Sequence, residues 1–129
     1  MIVLDTHIWL WWVNEDAELL APARSKQIEL CDFVAVSVIS CFEVSWLARH
    51  GRIALPCDQE QWFEKALEGS GISLLPITPK IATMAVDLPE HHSDPQDRII
   101  MATALAHDAK LMSSDRKFPI YAELAGRLL

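Results

Sequence analysis

The stretch that decides the fold is at the amino terminus and reads Met1-Ile2-Val3-Leu4-Asp5-Thr6-His7-Ile8-Trp9. Its apolar residues Ile2–Leu4 suit a short buried strand, and Asp5 with Thr6 leads into an aromatic-rich helical segment, His7–Val13. A buried strand followed at once by a helix is typical of α/β proteins with parallel sheets. Such sheets bind ligands beyond the carboxyl ends of their strands, which is where Asp5 would lie.

The same alternation of strands and helices continues along the chain. Further strands are predicted at Phe33–Ser37, Ile72–Ile77 and Lys110–Ser113, and helices at Pro22–Leu30, Val38–His50, Asp58–Glu68, Pro79–Leu88 and Pro95–His107. After Pro119 the pattern suggests a short edge strand around Ile120-Tyr121 followed by a helical tail. The sequence therefore predicts one α/β domain over residues 1–129 with a central, mostly parallel sheet.

Composition excludes several classes of protein. The 129 residues are 51 % hydrophobic with a net charge of −7, the wrong sign for a broad basic surface that binds nucleic acid. The cysteines Cys31, Cys41 and Cys57 have no CxxC spacing, so neither a zinc site nor a disulfide framework is indicated. The apolar runs are too short to span a membrane and the start is unlike a signal peptide, so a cytoplasmic location is expected.

Four acids are each placed beside an apolar run: Asp5, Glu43, Asp97 and Asp115. Carboxylates brought within about 4 Å of one another repel by about 4 kcal/mol per pair at an effective dielectric near 20. Protons or divalent cations usually compensate such repulsion. Because several carboxylates suit hard cations that take oxygen ligands, we expect Mg²⁺ or Mn²⁺ at this place.

Each acid also has a structural interpretation. Asp5 could simply cap the helix that follows it, and Asp115 could be an ordinary turn residue. Glu43 shares a helix face with apolar residues, where it requires a metal or a buried salt bridge with Arg or Lys. Asp94 fits the N-cap of the helix that Asp97 also begins. The neighbouring pair His91-His92 lies in a polar loop and is expected to be solvated rather than metal-bound.

The chemistry that converging carboxylates favour is hydrolysis by a metal-activated water. A divalent cation lowers the pKa of a bound water and stabilises the leaving oxygen of a phosphodiester. No Ser-His or Cys-His nucleophile pattern is evident, and no Gly-rich phosphate loop follows the first strand. These absences fit a metal-dependent hydrolase that forms no covalent intermediate.

Four blocks of sequence carry a resemblance to a known family. They are the first twelve residues, Val36-Ser-Val-Ile-Ser-Cys-Phe-Glu-Val44, Asp94-Pro-Gln-Asp-Arg-Ile-Ile-Met-Ala-Thr-Ala104 and Leu111-Met-Ser-Ser-Asp-Arg-Lys-Phe118. In this order they resemble PIN-domain ribonucleases of the VapC toxin type over nearly the whole chain. The resemblance implies a three-layer α/β/α fold, a metal-dependent endoribonuclease with RNA as its substrate, homodimerisation and a cognate antitoxin that masks the site.

The resemblance also assigns residues to the site. By position, Asp5, Glu43, Asp97 and Asp115 match the family's acidic quartet, which binds the metal and carries catalysis. Thr6 and Ser113 match small hydroxyl positions that could orient a carboxylate or a water, and Asp94 could support the site from behind. Arg98 and Arg116 are candidates either for contact with substrate phosphate or for pairing with the acids.

Two other functions compete with this one. Asp5 could be the nucleophile of a metal-dependent phosphatase or phosphotransferase, although His7 replaces the acid that such enzymes use two residues further on. Alternatively, the chain could be a non-catalytic acidic interaction module. If it is a toxin, we expect an antitoxin Arg in the acidic pocket and apolar antitoxin side chains against Trp9–Val13. For the homodimer, helix 58–68 or helix 79–88 could supply the interface.

Overall fold

The computed structural model describes residues 1–129 and contains four strands and six α-helices. The strands are β1 (Ile2–Leu4), β2 (Val34–Ser37), β3 (Ile72–Leu75) and β4 (Lys110–Met112). The helices are α1 (Thr6–Val13), α2 (Pro22–Leu30), α3 (Val38–Arg49), α4 (Gln59–Ala66), α5 (Pro79–Asp87) and α6 (Pro95–Ala106). No helix is long and apolar enough to cross a membrane.

All four strands are parallel and are arranged in the order β3-β2-β1-β4. The registers align Ile2 with Val34 and with Lys110, so the carboxyl ends of β1, β2 and β4 meet at one edge of the sheet. The helices between the strands make the crossovers that parallel pairing requires. The predicted α/β fold with a parallel sheet is confirmed.

Successive side chains of a strand point into two different hydrophobic cores, one on each face of the sheet. Ile2 and Leu4 pack into one hydrophobic cluster with residues of α1, α2 and α4, whereas Val3 points into a second cluster with residues of α6. Because successive strand side chains point to opposite faces, a strand of three apolar residues feeds both cores. The sheet is therefore covered by helices on both faces, which confirms the three-layer α/β/α architecture.

In the aromatic helix α1, the buried tryptophan is a different one from the tryptophan that the sequence favours for burial. Trp9 is completely buried; its indole N–H donates to the carbonyl of Ala66 at 3.0 Å, and its ring meets Trp62 edge to face. Trp12, expected to be buried, is only partly covered, as is Trp11. The sequence offers Trp9 or Trp11 as aromatic surface for a partner; Trp9 does not provide it, and the partly exposed aromatic residues of α1 are Trp11 and Trp12.

The carboxyl-terminal segment differs from the prediction. Phe118–Ile120 and Ala122–Leu124 form short 3-10 turns, so the expected edge strand at Ile120-Tyr121 and the helical tail are both wrong. The chain then runs parallel to β4: the Leu111 N–H donates to the Arg127 carbonyl at 2.8 Å, and the Leu129 N–H to the Leu111 carbonyl at 2.9 Å. These bonds satisfy the open edge of β4.

Candidate active site

The ends of β1 and β4 bring together the first part of a polar site. Asp5 follows β1 and is 7 % exposed; its Oδ1 accepts from the Ile8 N–H at 3.0 Å, and its Oδ2 accepts from the Ser113 hydroxyl. The Ser113 Oγ also accepts from the Asp115 N–H at 3.0 Å. Asp5 is thus both the N-cap of α1 and a buried carboxylate tied to the turn that carries Asp115.

The start of α6 supplies two more acids. Asp94 is the N-cap, accepting from the N–H groups of Gln96 at 2.9 Å and Asp97 at 3.3 Å, as predicted from the sequence. Asp97 lies in the first turn of the helix, whose next turns bury Ile100 and Met101 in the core. The carboxylate therefore lies at the rim of the core, as the spacing along α6 predicts.

Glu43 comes from the middle of α3 and has no basic partner. Its Oε1 is buried without a hydrogen-bond partner, and no Lys or Arg forms an ion pair with it. The salt-bridge interpretation of Glu43 is therefore wrong. The helix face inferred for it is also only partly correct, because Phe42 and Trp46 are 57 % and 43 % exposed rather than buried.

These acids converge on one cleft at the carboxyl edge of the sheet. The cleft has a volume of about 330 Å³ and is lined by Asp5, Thr6, His7, Trp11, Glu43, Asp94, Asp97, Ser114 and Asp115. Five of the nine lining residues are carboxylates, and none is Lys or Arg. All four acids of the predicted quartet line this cleft, although they are far apart in the sequence.

Crowding and burial raise the proton affinity of three of the carboxyl groups. Burial is the main cause that raises the pKa of Asp5 and of Glu43 above their ordinary values. Burial, together with the charge of Asp94, raises the pKa of Asp97 to about 7. Burial disfavours the charged form of each carboxyl group, and the neighbouring acids add to this effect.

His92 is a site residue that the sequence analysis missed. Its Nε2 lies 2.6 Å from Asp97 Oδ2 and 3.3 Å from Asp115 Oδ2, and its side chain is 11 % exposed. The expectation of a solvated histidine pair is thus wrong for His92 but holds for His91, which is exposed. A pair of adjacent histidines in a polar loop carries no periodic signal, so the sequence could not distinguish the two.

The two arginine candidates are placed differently. The Arg98 guanidinium donates to four backbone carbonyls at 2.6 to 3.0 Å, that of Val86 at the end of α5 and those of Leu88, Pro89 and His92 in the segment that connects α5 to α6. Arg98 therefore does not pair with the acids, and its guanidinium is committed to the loop. Arg116 is exposed beside Asp115 and forms no ion pair, so a contact with substrate remains a prediction for it.

Two further side chains support the walls of the cleft. The Thr6 hydroxyl donates to Ser40 Oγ at 2.9 Å, which joins the start of α1 to α3 one turn before Glu43. Arg24, which the sequence analysis did not single out, donates to Ser114 Oγ at 2.7 Å and to the Ser113 carbonyl at 3.1 Å. Arg24 thus holds the turn that carries Asp115 from its outer side.

The residues present fit a divalent cation. The donors are carboxylate oxygens, which hard cations prefer, and the buried Oε1 of Glu43 lacks any partner within the protein. A cation near Asp5, Glu43, Asp97 and Asp115 would supply positive charge to a cleft that has five carboxylates and no Lys or Arg in its lining. The fold and this cleft together define a class: a three-layer α/β protein with a cluster of acids at the carboxyl edge of its sheet.

Comparison with known proteins specifies the family. A family model for the PIN domain matches residues 2–124, so the chain belongs to the PIN-domain family and the expected resemblance is confirmed. Over 117 residues the chain is 38 % identical to Ribonuclease VapC22 of Mycobacterium tuberculosis (strain ATCC 25618 / H37Rv), covering 90 % of this chain and 88 % of that protein.

Solved structures share the fold. VapBC2 from Rickettsia felis, bound to a DNA fragment from its promoter, is 20 % identical with a TM-score of 0.72, covering 100 % of this chain and 98 % of that one. A toxin-antitoxin complex from Klebsiella pneumoniae is 24 % identical with a TM-score of 0.64, covering 100 % and 96 %. At these identities the likeness establishes the architecture alone.

Proposed function

We propose that this protein is a metal-dependent endoribonuclease that acts as the toxin of a toxin-antitoxin pair in the cytoplasm. The observation that carries the proposal is the cleft in which Asp5, Glu43, Asp97 and Asp115 converge without a Lys or Arg to neutralise them. The ribonuclease that is 38 % identical to this chain supports RNA as the substrate. The cofactor would be Mg²⁺ or Mn²⁺, which suit oxygen-rich sites.

In this proposal the four acids hold the cation and the residues around them fix the acids. When bound by these acids, a divalent cation would supply an acidified water and positive charge for the phosphodiester. Asp5 is immobilised by the Ser113 hydroxyl and the Ile8 N–H, and the Asp115 backbone is held by Ser113 Oγ. Such outer contacts hold ligands in the orientation that metal binding needs.

Few basic residues lie near the cleft to attract an RNA substrate. With a net charge of −7 the protein as a whole repels RNA, so attraction must be local. Arg116 is exposed next to Asp115 and His7 lines the cleft. We propose that Arg116 contacts a phosphate near the scissile bond, while Arg98 has no part in binding substrate because its guanidinium is bonded to the loop.

The first experiment is cleavage of total RNA by the purified protein, freed of antitoxin, in Mg²⁺ or Mn²⁺. Asp97→Asn should abolish cleavage because it removes one of the converging carboxylates. Asp32→Asn is the matched control, since Asp32 is exposed and precedes β2 at the opposite edge of the sheet. We expect the control to cleave like the unaltered protein and EDTA to stop both.

Persistent cleavage by Asp97→Asn, or cleavage in EDTA, would contradict the proposal. If no variant cleaves RNA and no divalent cation binds, the acidic interaction module becomes the better interpretation. The phosphatase alternative has no observation in its favour. Both carboxylate oxygens of Asp5 accept hydrogen bonds, and His7 stands where such enzymes have their second acid.

The proposed antitoxin has a defined place to bind. Trp11 lines both the acidic cleft and a neighbouring groove of about 450 Å³ between α1, α2 and α4, to which Trp12 also contributes. We propose that an antitoxin segment lies in this groove and places an Arg among the acids. Reversing the charge of that Arg should weaken the complex, and an unchanged affinity would contradict this placement.

A further inference from the structure

The main chain of His92 is held on both sides by side chains. Its N–H donates to the Tyr121 hydroxyl at 2.9 Å, and its carbonyl accepts from the Arg98 guanidinium at 3.0 Å. Tyr121 is itself buried, and Arg98 binds three more carbonyls of the same segment. A loop residue held in this way is positioned as firmly as a residue of a strand or helix.

The side chain of His92 projects toward two acids of the cleft at once. One nitrogen, Nε2, lies 2.6 Å from Asp97 Oδ2 and 3.3 Å from Asp115 Oδ2. Nε2 carries a single hydrogen at most, so it cannot donate a good hydrogen bond to both carboxylates. A shared cation can satisfy all three atoms, which lie within 4.8 Å of one another.

The spacing of these atoms is close to that of ligands on one ion. Two ligands with bonds of about 2.1 Å at right angles are separated by about 3 Å. The distances from Nε2 to the two carboxylate oxygens bracket this value. Small rotations of the side chains would therefore suffice for His92, Asp97 and Asp115 to face a common ion.

We infer that His92 is a nitrogen ligand of the divalent cation and gives the site a preference for a transition-metal ion such as Mn²⁺ over Mg²⁺. Imidazole suits transition metals, whereas Mg²⁺ is bound almost entirely by oxygen. The inference rests on the proposed function for the presence of a cation. It adds a ligand that lies outside the acidic quartet and that the positional resemblance did not supply.

The test is pulsed electron paramagnetic resonance of the full chain, freed of antitoxin and loaded with Mn²⁺. A nitrogen ligand produces echo modulation from ¹⁴N, which carboxylates and water do not. We expect this modulation in the unaltered protein and its loss in His92→Gln, whose amide can still donate to Asp97. The matched control is His91→Gln, because His91 is the exposed neighbour whose ring packs against Tyr121 instead.

Binding of Mn²⁺ and Mg²⁺ is measured on the same proteins by calorimetry. His92→Gln should lower the ratio of Mn²⁺ to Mg²⁺ affinity by about tenfold, and His91→Gln should leave it unchanged. Absence of ¹⁴N modulation in the unaltered protein would overturn the inference whatever the variants do. An equal loss of affinity for both ions in His92→Gln would also overturn it, since it would indicate an orienting residue only.

The inference and the proposed function fail separately. If the protein cleaves RNA in Mg²⁺ but shows no ¹⁴N modulation in Mn²⁺, it is a nuclease in which His92 is not a metal ligand. If the modulation depends on His92 but the protein cleaves no RNA, His92 is a metal ligand and the proposed nuclease function is wrong. Thermal unfolding of each variant shows whether a lost signal comes from a lost fold.

Discussion

Ser113 connects two of the acids through a single hydroxyl group. It donates to Asp5 and accepts from the Asp115 N–H, so one small side chain sets the relation between β1 and the turn after β4. Ser113→Ala should therefore weaken Mn²⁺ binding and RNA cleavage by about 10- to 100-fold, the usual range for a residue that orients a metal ligand. Calorimetry and single-turnover cleavage would measure the two effects.

The control for this prediction is the adjacent residue. Ser114→Ala removes a hydroxyl that contacts Arg24 rather than an acid, so we expect less than a threefold change. Equal losses in the two variants would mean that the turn as a whole, and not the bond to Asp5, maintains the site.

Asp97 should make the stability of the metal-free protein depend on pH. Burial and the charge of Asp94 raise its pKa from 3.8 to about 7, so between these values the folded carboxyl holds a proton that the unfolded one releases. Because the native state binds more protons in this window, the free energy of unfolding falls as pH rises toward 7. We expect a fall of about 2 kcal/mol between pH 5 and pH 8.

Denaturant unfolding in EDTA across this pH range would measure the fall. Asp97→Asn should flatten much of the slope, because the amide has no proton to lose, and saturating Mn²⁺ should reverse it by favouring the ionised carboxylates. A rise of stability with pH in the metal-free protein would contradict the assignment.

At the scale of single residues, the sequence predicted the acids of the cleft but not the residues that surround them in space. Asp5, Glu43, Asp97 and Asp115 were identifiable because each interrupts an apolar run. Arg98 is adjacent to Asp97 in sequence, but successive helix positions are rotated by about 100° and diverge in space, so its guanidinium bonds backbone carbonyls and not the acids. His92 is brought to the site only by the loop that Arg98 and Tyr121 hold.

Among the elements, α6 and the loop before it behave as one unit through Arg98. Four carbonyls of Val86–His92 depend on its guanidinium, so Arg98→Met would leave acceptors without donors. We expect the free energy of unfolding to fall by about 2–3 kcal/mol, with faster amide exchange in residues 88–94. Thermal or denaturant unfolding and hydrogen exchange would measure these effects.

In contrast to Arg98, the exposed Arg116 is expected to affect RNA binding and not stability. Arg116→Met should leave stability within about 0.5 kcal/mol, because the side chain is exposed and forms no ion pair. It should weaken RNA binding and reduce its dependence on salt. If Arg98→Met weakens RNA binding at unchanged stability, the roles given to the two arginines are wrong.

The elements themselves were predictable where local chemistry marks them. Asp94 caps α6 as the sequence predicts, and Asp58 and Thr78 cap α4 and α5 at or just before the predicted starts of those helices. The segment after Phe118 was not predictable, because it is shaped by contact with β4 and not by its own periodicity. Its residues form short turns first and pair with the sheet only at Leu128.

The whole molecule presents one large apolar strip to solvent, on α3. Val38, Phe42 and Trp46 recur every fourth residue and are 37 %, 57 % and 43 % exposed. The predicted interface on helix 58–68 is less suitable, since Trp62 and Ala66 are buried within the protomer. Helix 79–88 offers chiefly Val86, which is 76 % exposed.

We propose that the expected homodimer uses the α3 strip. Phe42→Asp should then raise the dimer dissociation constant by about 100-fold, because a carboxylate replaces apolar contact in the interface. Val86→Asp should have little effect. Light scattering after gel filtration would give the masses, and dissociation by Val86→Asp alone would move the interface to α5.

The position of β1 in the sheet has a consequence for the time course of synthesis. β1 is made before its neighbour β4, which comes from residues 110–112, so Asp5 and Ser113 meet across 108 positions of sequence. Pairing over such separations is late and slow in folding. The acidic cleft therefore cannot form until residues 110–115 have left the ribosome and β4 has paired with β1. A nascent chain that has not reached Asp115 lacks one of the acids that line the cleft.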